Sequence, residues 1–194
     1  MLGFCGWQER GYRPHRDEPG LTQFVTFRLA DCFPRHLQSE WEALLEVEDD
    51  HNRCTQLESY LDLGRGQCHL RDARIGQLVD GAIQFYHRKH YELQAWVVMP
   101  NHVHALFKIG DTPLGTIIAN LKVYTARAAN KLLGRRGKFW ADDYFDTFIR
   151  NSVHQQKACR YIETNPVKAF LVQDARQWPW TSARFRDEND VLQL

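Results

Sequence analysis

No stretch of this chain approaches the ~18 consecutive apolar residues that a membrane-spanning helix needs. Its first residues, Met1-Leu2-Gly3-Phe4-Cys5-Gly6-Trp7, have neither the basic start nor the apolar run of a secretory signal. The expectation is a cytoplasmic protein with no membrane partner. Cysteine is sparse and unpatterned: Cys5, Cys32, Cys54, Cys68 and Cys159 make an odd number without a C-x-x-C pair, which excludes a disulfide framework. Cys54, Cys68 and His69 lie near one another but lack the ligand spacing of a structural zinc site. Internal repeats and low-complexity tracts are absent, which excludes a solenoid or a disordered linker. Acidic residues are missing altogether between Thr112 and Ala141.

That last absence reveals what a net charge of +1 conceals. The segment from Thr112 to Ala141 carries Lys122, Arg127, Lys131, Arg135, Arg136 and Lys138 unopposed. Residues 40–72 are the reverse, with Glu40, Glu42, Glu46, Glu48, Asp49, Asp50, Glu58, Asp62 and Asp72 against Arg53, Arg65 and Arg71. A basic run of this kind suits a phosphate backbone, although a solvated helix face would look the same. At 194 residues, with 43% hydrophobic and 25% charged residues, the chain reads as one globular domain spanning 1–194. An inserted acidic helical or loop region falls around 46–72, and an irregular tail, anchored by Trp178-Pro179-Trp180, begins at about 173.

Hydrophobic periodicity orders the elements. Aromatic and β-branched residues over 22–29 predict a strand. The spacing of Leu37, Trp41, Leu44 and Leu45 predicts a helix over 34–50, and Ile75, Leu78, Val79, Ala82, Ile83 and Tyr86 predict a second over 71–89. Residues 91–99 and 102–109 read as two strands joined at Pro100-Asn101, an antiparallel hairpin. A long basic helix follows over 113–133, with Thr112 as a possible cap and Gly134 as its stop. A short strand over 144–150 precedes a last helix from Ser152, its own cap, to Asn165, where Pro166 should end it. Without its insertion the order is βαββαβ, an α+β, ferredoxin-like antiparallel sheet with helices packed on it.

The chemistry concentrates in two places. On the second strand of the hairpin, His102-Val103-His104 puts two imidazoles on one face, because side chains alternate along a strand, while Val103, Ala105 and Phe107 take the apolar face. A histidine pair alone is half a metal site. On the last helix, Tyr161 and Asn165 are four residues apart and share a face. Laid over the hairpin, that face would offer an amide oxygen as a third ligand, with a phenol beside it. Tyr86, Tyr91, Tyr124 and Tyr144 have only the ordinary packing role of a tyrosine. Asn165 before Pro166 also suits plain helix-end capping. Gly134-Arg135-Arg136-Gly137-Lys138 lacks the spacing and the Ser/Thr of a P-loop and reads as a basic turn. Trp140, Trp178 and Trp180 are candidates for stacking on unpaired bases, with core packing the ordinary fate of at least two.

His102-Val103-His104 after Met-Pro-Asn, Phe139-Trp140, and Tyr161-Ile162-Glu163-Thr164-Asn165-Pro166-Val167-Lys168 together resemble the single-tyrosine HUH transposases, in particular the REP-associated tyrosine transposases. The resemblance runs from about Thr22 to Trp180 and rests on two motifs in the right order. It implies a single-tyrosine HUH transposase fold, with Tyr161 as nucleophile, His102 and His104 as ligands of Mg²⁺ or Mn²⁺, and Asn165 as the third ligand. It implies no other cofactor. The activity implied is cleavage and rejoining of single-stranded DNA at a palindromic repeat hairpin, through a 5′-phosphotyrosine, in a bacterial, nucleoid-associated setting. Lys157, Arg160 and Lys168 join the basic residues above as candidate DNA contacts. The longer acidic region around 46–72 departs from the smaller relatives. A non-catalytic hairpin- or single-strand-binding module is the alternative. A two-histidine phosphodiesterase lacks its second H-x-[ST] element here. Monomer and homodimer are both compatible with the chain.

Overall fold

The computed structural model describes residues 4, 6–10, 13–32, 56 and 59–194. The helix expected over 34–50 and most of the acidic insertion lie outside the described residues, as does Cys54. A hairpin of β1 (Gly6–Arg10) and β2 (Arg13–Asp17) precedes the main sheet and was not signalled by any alternation in the sequence. The sheet itself consists of β3 (Thr22–Arg28), β4 (Tyr91–Val98), β5 (His102–Ile109) and β6 (Phe145–Phe148). Its order is β4-β5-β3-β6, every neighbour antiparallel. That is the βαββαβ arrangement expected from the order of elements, and β6 is shorter at both ends than the pattern over 144–150 suggested.

Among the described residues, three long helices sandwich this sheet. α1 (Ala73–Phe85) and α2 (Leu114–Leu132) cover one face, where Val103, Ala105 and Phe107 of β5 join Trp96 and Val98 of β4 in the larger core cluster. α3 (Ser152–Lys168) covers the other, packing Ala158 and Ile162 on Ala95, Val97 and Leu106. Both faces of the hairpin are therefore buried. A register shift between Leu93 and Ala95 turns Leu93 onto the same face as Trp96, so that alternation is interrupted just where the strand leaves its open end.

Capping differs from the sequence expectation at two helices. α2 begins at Pro113 with no side-chain cap, and the Thr112 hydroxyl instead meets His90 Nδ1 at 3.0 Å. Proline there has no N–H to satisfy and a fixed φ suited to helix entry. Asn151 rather than Ser152 caps α3, its Oδ1 accepting from the His154 N–H at 2.9 Å. Gly134 does follow the end of α2 in the left-handed region, at φ 62°.

The tail is anchored as a third layer against α1 and β4. Trp180 is buried and its carbonyl accepts from Val98 N–H. Ser182 Oγ accepts from Trp96 N–H and donates to Glu163, which also pairs with Arg186 at 2.8 Å. Gly76 of α1 admits this packing: a Cβ there would lie 2.5 Å from two ring carbons of Trp180. Gly76→Ala gains about 1 kcal/mol of helix propensity but overpacks a pinned indole, typically at about 1–3 kcal/mol. The expected outcome is a net loss of up to about 2 kcal/mol in a urea titration. A variant as stable as the parent would show that the tail docks loosely.

Candidate active site

His102 and His104 are both fully buried on the α3 face of β5, as strand alternation requires. Their Nε2 atoms converge to 3.1 Å. Each ring is fixed from behind. Asn101 Oδ1 lies 2.8 Å from His102 Nδ1. Because Asn101 Nδ2 donates to the carbonyls of Leu61 and Arg65, at 3.2 and 3.1 Å, its Oδ1 must be the acceptor. His102 therefore carries its proton on Nδ1 and presents a bare lone pair at Nε2. His104 Nδ1 meets Thr26 Oγ1 at 2.7 Å, a contact set by the register in which Thr26 of β3 pairs with His104 of β5. The Phe24 ring stacks on His104 at 5.4 Å between centroids.

Burial pushes the His102 imidazole down to about 3, and it holds His104 well below the ordinary histidine range, with smaller contributions from the charges of His102 and Lys168. Both rings are thus neutral at physiological pH, the state in which imidazole binds a metal. The orienting partners Asn101 and Thr26 were not identified from sequence. Asn101 read as a turn residue, and Thr26 is brought to His104 only by inter-strand register. Removing Asn101 would leave the buried His102 Nδ1–H and two carbonyls without their partner. Asn101→Ala is expected to lower stability by about 2–3 kcal/mol and divalent-cation affinity by about 10–100-fold, measured by urea unfolding and Mn²⁺ titration.

α3 lays the Tyr161 ring against His104 and Asn165 against Tyr161. The Tyr161 ring meets His104 edge-on at 5.7 Å and Phe24 at 6.0 Å between centroids. Asn165 is fully buried and its Nδ2 donates to the Tyr161 hydroxyl at 3.3 Å. Pro166 does not end the helix, contrary to the sequence expectation: α3 continues to Lys168 with Pro166 buried inside it. A proline this near the C-terminus removes one amide donor, and the carbonyls of Asn165, Pro166 and Val167 are taken up by Ala169, Leu171 and Phe170. Asn165 is consequently an interior residue whose side chain faces the histidines' neighbourhood and does not cap the helix.

The basic residues separate into two groups. α2 lies on the opposite face of the sheet from the histidine pair, so Lys122, Arg127, Lys131, Arg135, Arg136 and Lys138 are not drawn around it. Lys122 Nζ donates to the carbonyls of Ala141, Asp142 and Asp143, and burial pulls its ammonium down to about 8. Arg135 is held by His69 and the Lys138 carbonyl, and Lys138 pairs with Asp142. Arg127, Lys131 and Arg136 are exposed. On α3, Lys168 Nζ sits 4.2 Å from the centre of the Tyr161 ring. Lys157 and Arg160 line a neighbouring groove together with Arg176 and Arg186, and Tyr161 does not line it. Trp140 and Trp180 are core residues, and half-buried Trp178 donates to the Val98 carbonyl at 2.9 Å.

Chemically, the cluster offers two neutral imidazole lone pairs and an amide oxygen. Asn165 Oδ1 is buried and has no hydrogen-bond partner among the described residues. A buried carbonyl oxygen left so is costly, and a cation shared with the two Nε2 atoms would satisfy it. Nitrogen and neutral oxygen donors of this kind fit a divalent ion such as Mg²⁺ or Mn²⁺. Among the described residues, no three His, Cys, Asp or Glu side chains are already grouped around a metal position.

Comparison with known proteins agrees with this architecture. Residues 71–165 match the family described as "Transposase IS200 like". A REP-associated tyrosine transposase of Escherichia coli (strain K12) is 27% identical over 94 residues, 47% of this chain. The match spans about half, 54%, of that relative's length. The solved structure of a REP-associated tyrosine transposase bound to a REP hairpin superposes with a TM-score of 0.59 at 20% identity, over 94% of this chain and 88% of that one, a likeness of fold. The histidine pair, Tyr161 and Asn165 all lie inside the segment, residues 71–165, that is similar to this family.

Proposed function

We propose that this protein is a metal-dependent single-stranded DNA endonuclease and strand transferase that cleaves and rejoins DNA at repeat hairpins through a 5′-phosphotyrosine. The observation that carries this reading is the single cluster formed by His102 Nε2, His104 Nε2, the unsatisfied Asn165 Oδ1 and the Tyr161 hydroxyl bonded to Asn165. Paired neutral imidazoles with no phenol nearby would suit a structural metal, and a helix tyrosine with no metal donors nearby would suit packing. Together they support reading Tyr161 as a nucleophile beside a Lewis-acid position.

In the proposed reaction the Tyr161 oxygen attacks the phosphorus of a phosphodiester. The bond to the 3′ oxygen breaks, leaving a free 3′-hydroxyl and a DNA 5′-phosphate esterified to the tyrosine. A 3′-hydroxyl attacking the same phosphorus reverses the step and returns the phenol, so the bond energy is kept for rejoining. Mg²⁺ or Mn²⁺ bound by His102, His104 and Asn165 would polarise the phosphoryl oxygens and stabilise their developing charge. A free phenol holds its proton up to a pH of about 10. The Lys168 ammonium over the Tyr161 ring supplies positive potential that favours the phenolate. Asn101 and Thr26 hold the imidazoles in place throughout.

The hairpin partner follows from the kinship with REP-associated transposases and from exposed basic residues on both faces of the sheet. The test is incubation of the purified protein with Mn²⁺ and a single-stranded DNA carrying a palindromic repeat hairpin. A covalent protein–DNA band that withstands denaturation, and that Tyr161→Phe cannot form, is expected. Tight, salt-sensitive hairpin binding with no adduct would instead establish a binding module.

A further inference from the structure

We propose that Asp62 supplies a carboxylate oxygen to the same cation as His102, His104 and Asn165, an inference that rests on the metal-site reading above. The three donors already described are neutral, whereas hard divalent cations such as Mg²⁺ are ordinarily held by one or two carboxylates. Asp62 is the acidic side chain that the fold brings to the pair: its Oδ1 lies 3.9 Å from His102 Nε2.

The geometry favours a cation between these atoms. His102 gives its Nδ1–H to Asn101, so the atom facing Asp62 bears a lone pair and not a proton. A carboxylate oxygen and an imidazole lone pair repel unless a positive charge stands between them. Adjacent ligands of an octahedral ion with bonds of about 2.1 Å are about 3.0 Å apart, and the two Nε2 atoms, at 3.1 Å, are already so spaced. Asp62 needs to approach by about 1 Å to complete another such edge. Asp62 ends a helical turn, and its side chain is about a quarter exposed.

The path by which Asp62 arrives there is also specific. Asn101 Nδ2 holds the carbonyls of Leu61 and Arg65, on either side of Asp62, while its Oδ1 orients His102. One side-chain amide thus sets both the imidazole and the carboxylate. The described end of the acidic region, for which sequence alone suggested no role, becomes part of the metal site.

The experiment is Mn²⁺ titration of the full-length protein without DNA, read by the electron paramagnetic resonance of free Mn²⁺, for the wild type, Asp62→Asn, Asp62→Glu and His104→Ala. Asp62→Asn is expected to raise the Mn²⁺ Kd by about 10–100-fold. Asp62→Glu, which keeps the charge, is expected to stay within a few-fold of the wild type. Wild-type affinity in Asp62→Asn, or in Asp62→Ser should that variant fail to fold, overturns the assignment of Asp62 if His104→Ala has lost its metal. Unchanged affinity in His104→Ala overturns the underlying metal site instead.

Discussion

Tyr161→Phe is expected to reduce covalent attachment to single-stranded DNA by at least ~10³-fold, because it removes the atom that forms the bond. The substitution is sharp because the ring remains. Its edge contacts with His104 and Phe24 and its position beneath Lys168 do not involve the hydroxyl. The loss in stability includes the hydrogen bond from Asn165 Nδ2, worth about 1 kcal/mol. Hairpin affinity should stay within about two-fold, since phosphate contacts by basic side chains dominate such binding. Adduct formation at an undiminished rate would remove Tyr161 from the reaction and with it the proposed mechanism.

Acidification of the metal-free protein is expected to have the second large effect. Burial drives His102 to about 3 in the folded state, against an ordinary value near 6.5, and His104 is lowered in the same direction. A base whose folded value is depressed contributes stability that is fully present above the unfolded value. Between pH 6.5 and about 3 the unfolded chain binds a proton that the native chain refuses, so stability falls as pH falls. The slope is about 1.4 kcal/mol per pH unit for each histidine. From pH 6.5 to 4.5 His102 alone accounts for roughly 2 kcal/mol, and His104 adds to the loss in the same direction. Asp80 opposes this trend, because burial raises its carboxyl and native protonation then favours folding on acidification.

The depressed carboxyls of Asp72, at about 2, and of Asp187 act lower in pH, from below about 4. The urea midpoint should therefore drop steeply between pH 6.5 and 4.5. A midpoint flat across that interval would mean that the two imidazoles are not held neutral by burial. A His102→Gln variant should lose part of the slope, which separates the pair from the remaining histidines.

Sequence and structure divide unevenly around this site. Hydrophobic periodicity places β3, α1, the β4–β5 hairpin, α2 and α3 close to their observed bounds, because each has one face that must be buried and its apolar residues repeat with the period of the element. It does not reveal the β1–β2 hairpin, where Trp7-Gln8-Glu9-Arg10 and Arg13-Pro14-His15-Arg16 carry no alternation of apolar and polar residues. Pro166 misled for a local reason: the steric rule applies to an isolated chain, and a helix clamped on the sheet through Ala158 and Ile162 tolerates a proline one turn from its end. The placement of the basic segment is a global matter. Charge along a helix says nothing about which face of the sheet that helix covers, and α2 covers the face opposite the histidines.

The sequence by itself determined which side chains share a face. His102 and His104 share a face because strands alternate, Tyr161 and Asn165 share one because helices repeat every 3.6 residues, and these are local consequences of backbone geometry. Only the tertiary structure decided that the two faces meet, since that depends on where α3 crosses the sheet. It likewise decided the partners that tune them: Thr26 through strand register, and Asn101 and Asp62 through a turn folded under the hairpin. Contacts between residues distant in the chain come from packing, which no period in the sequence encodes.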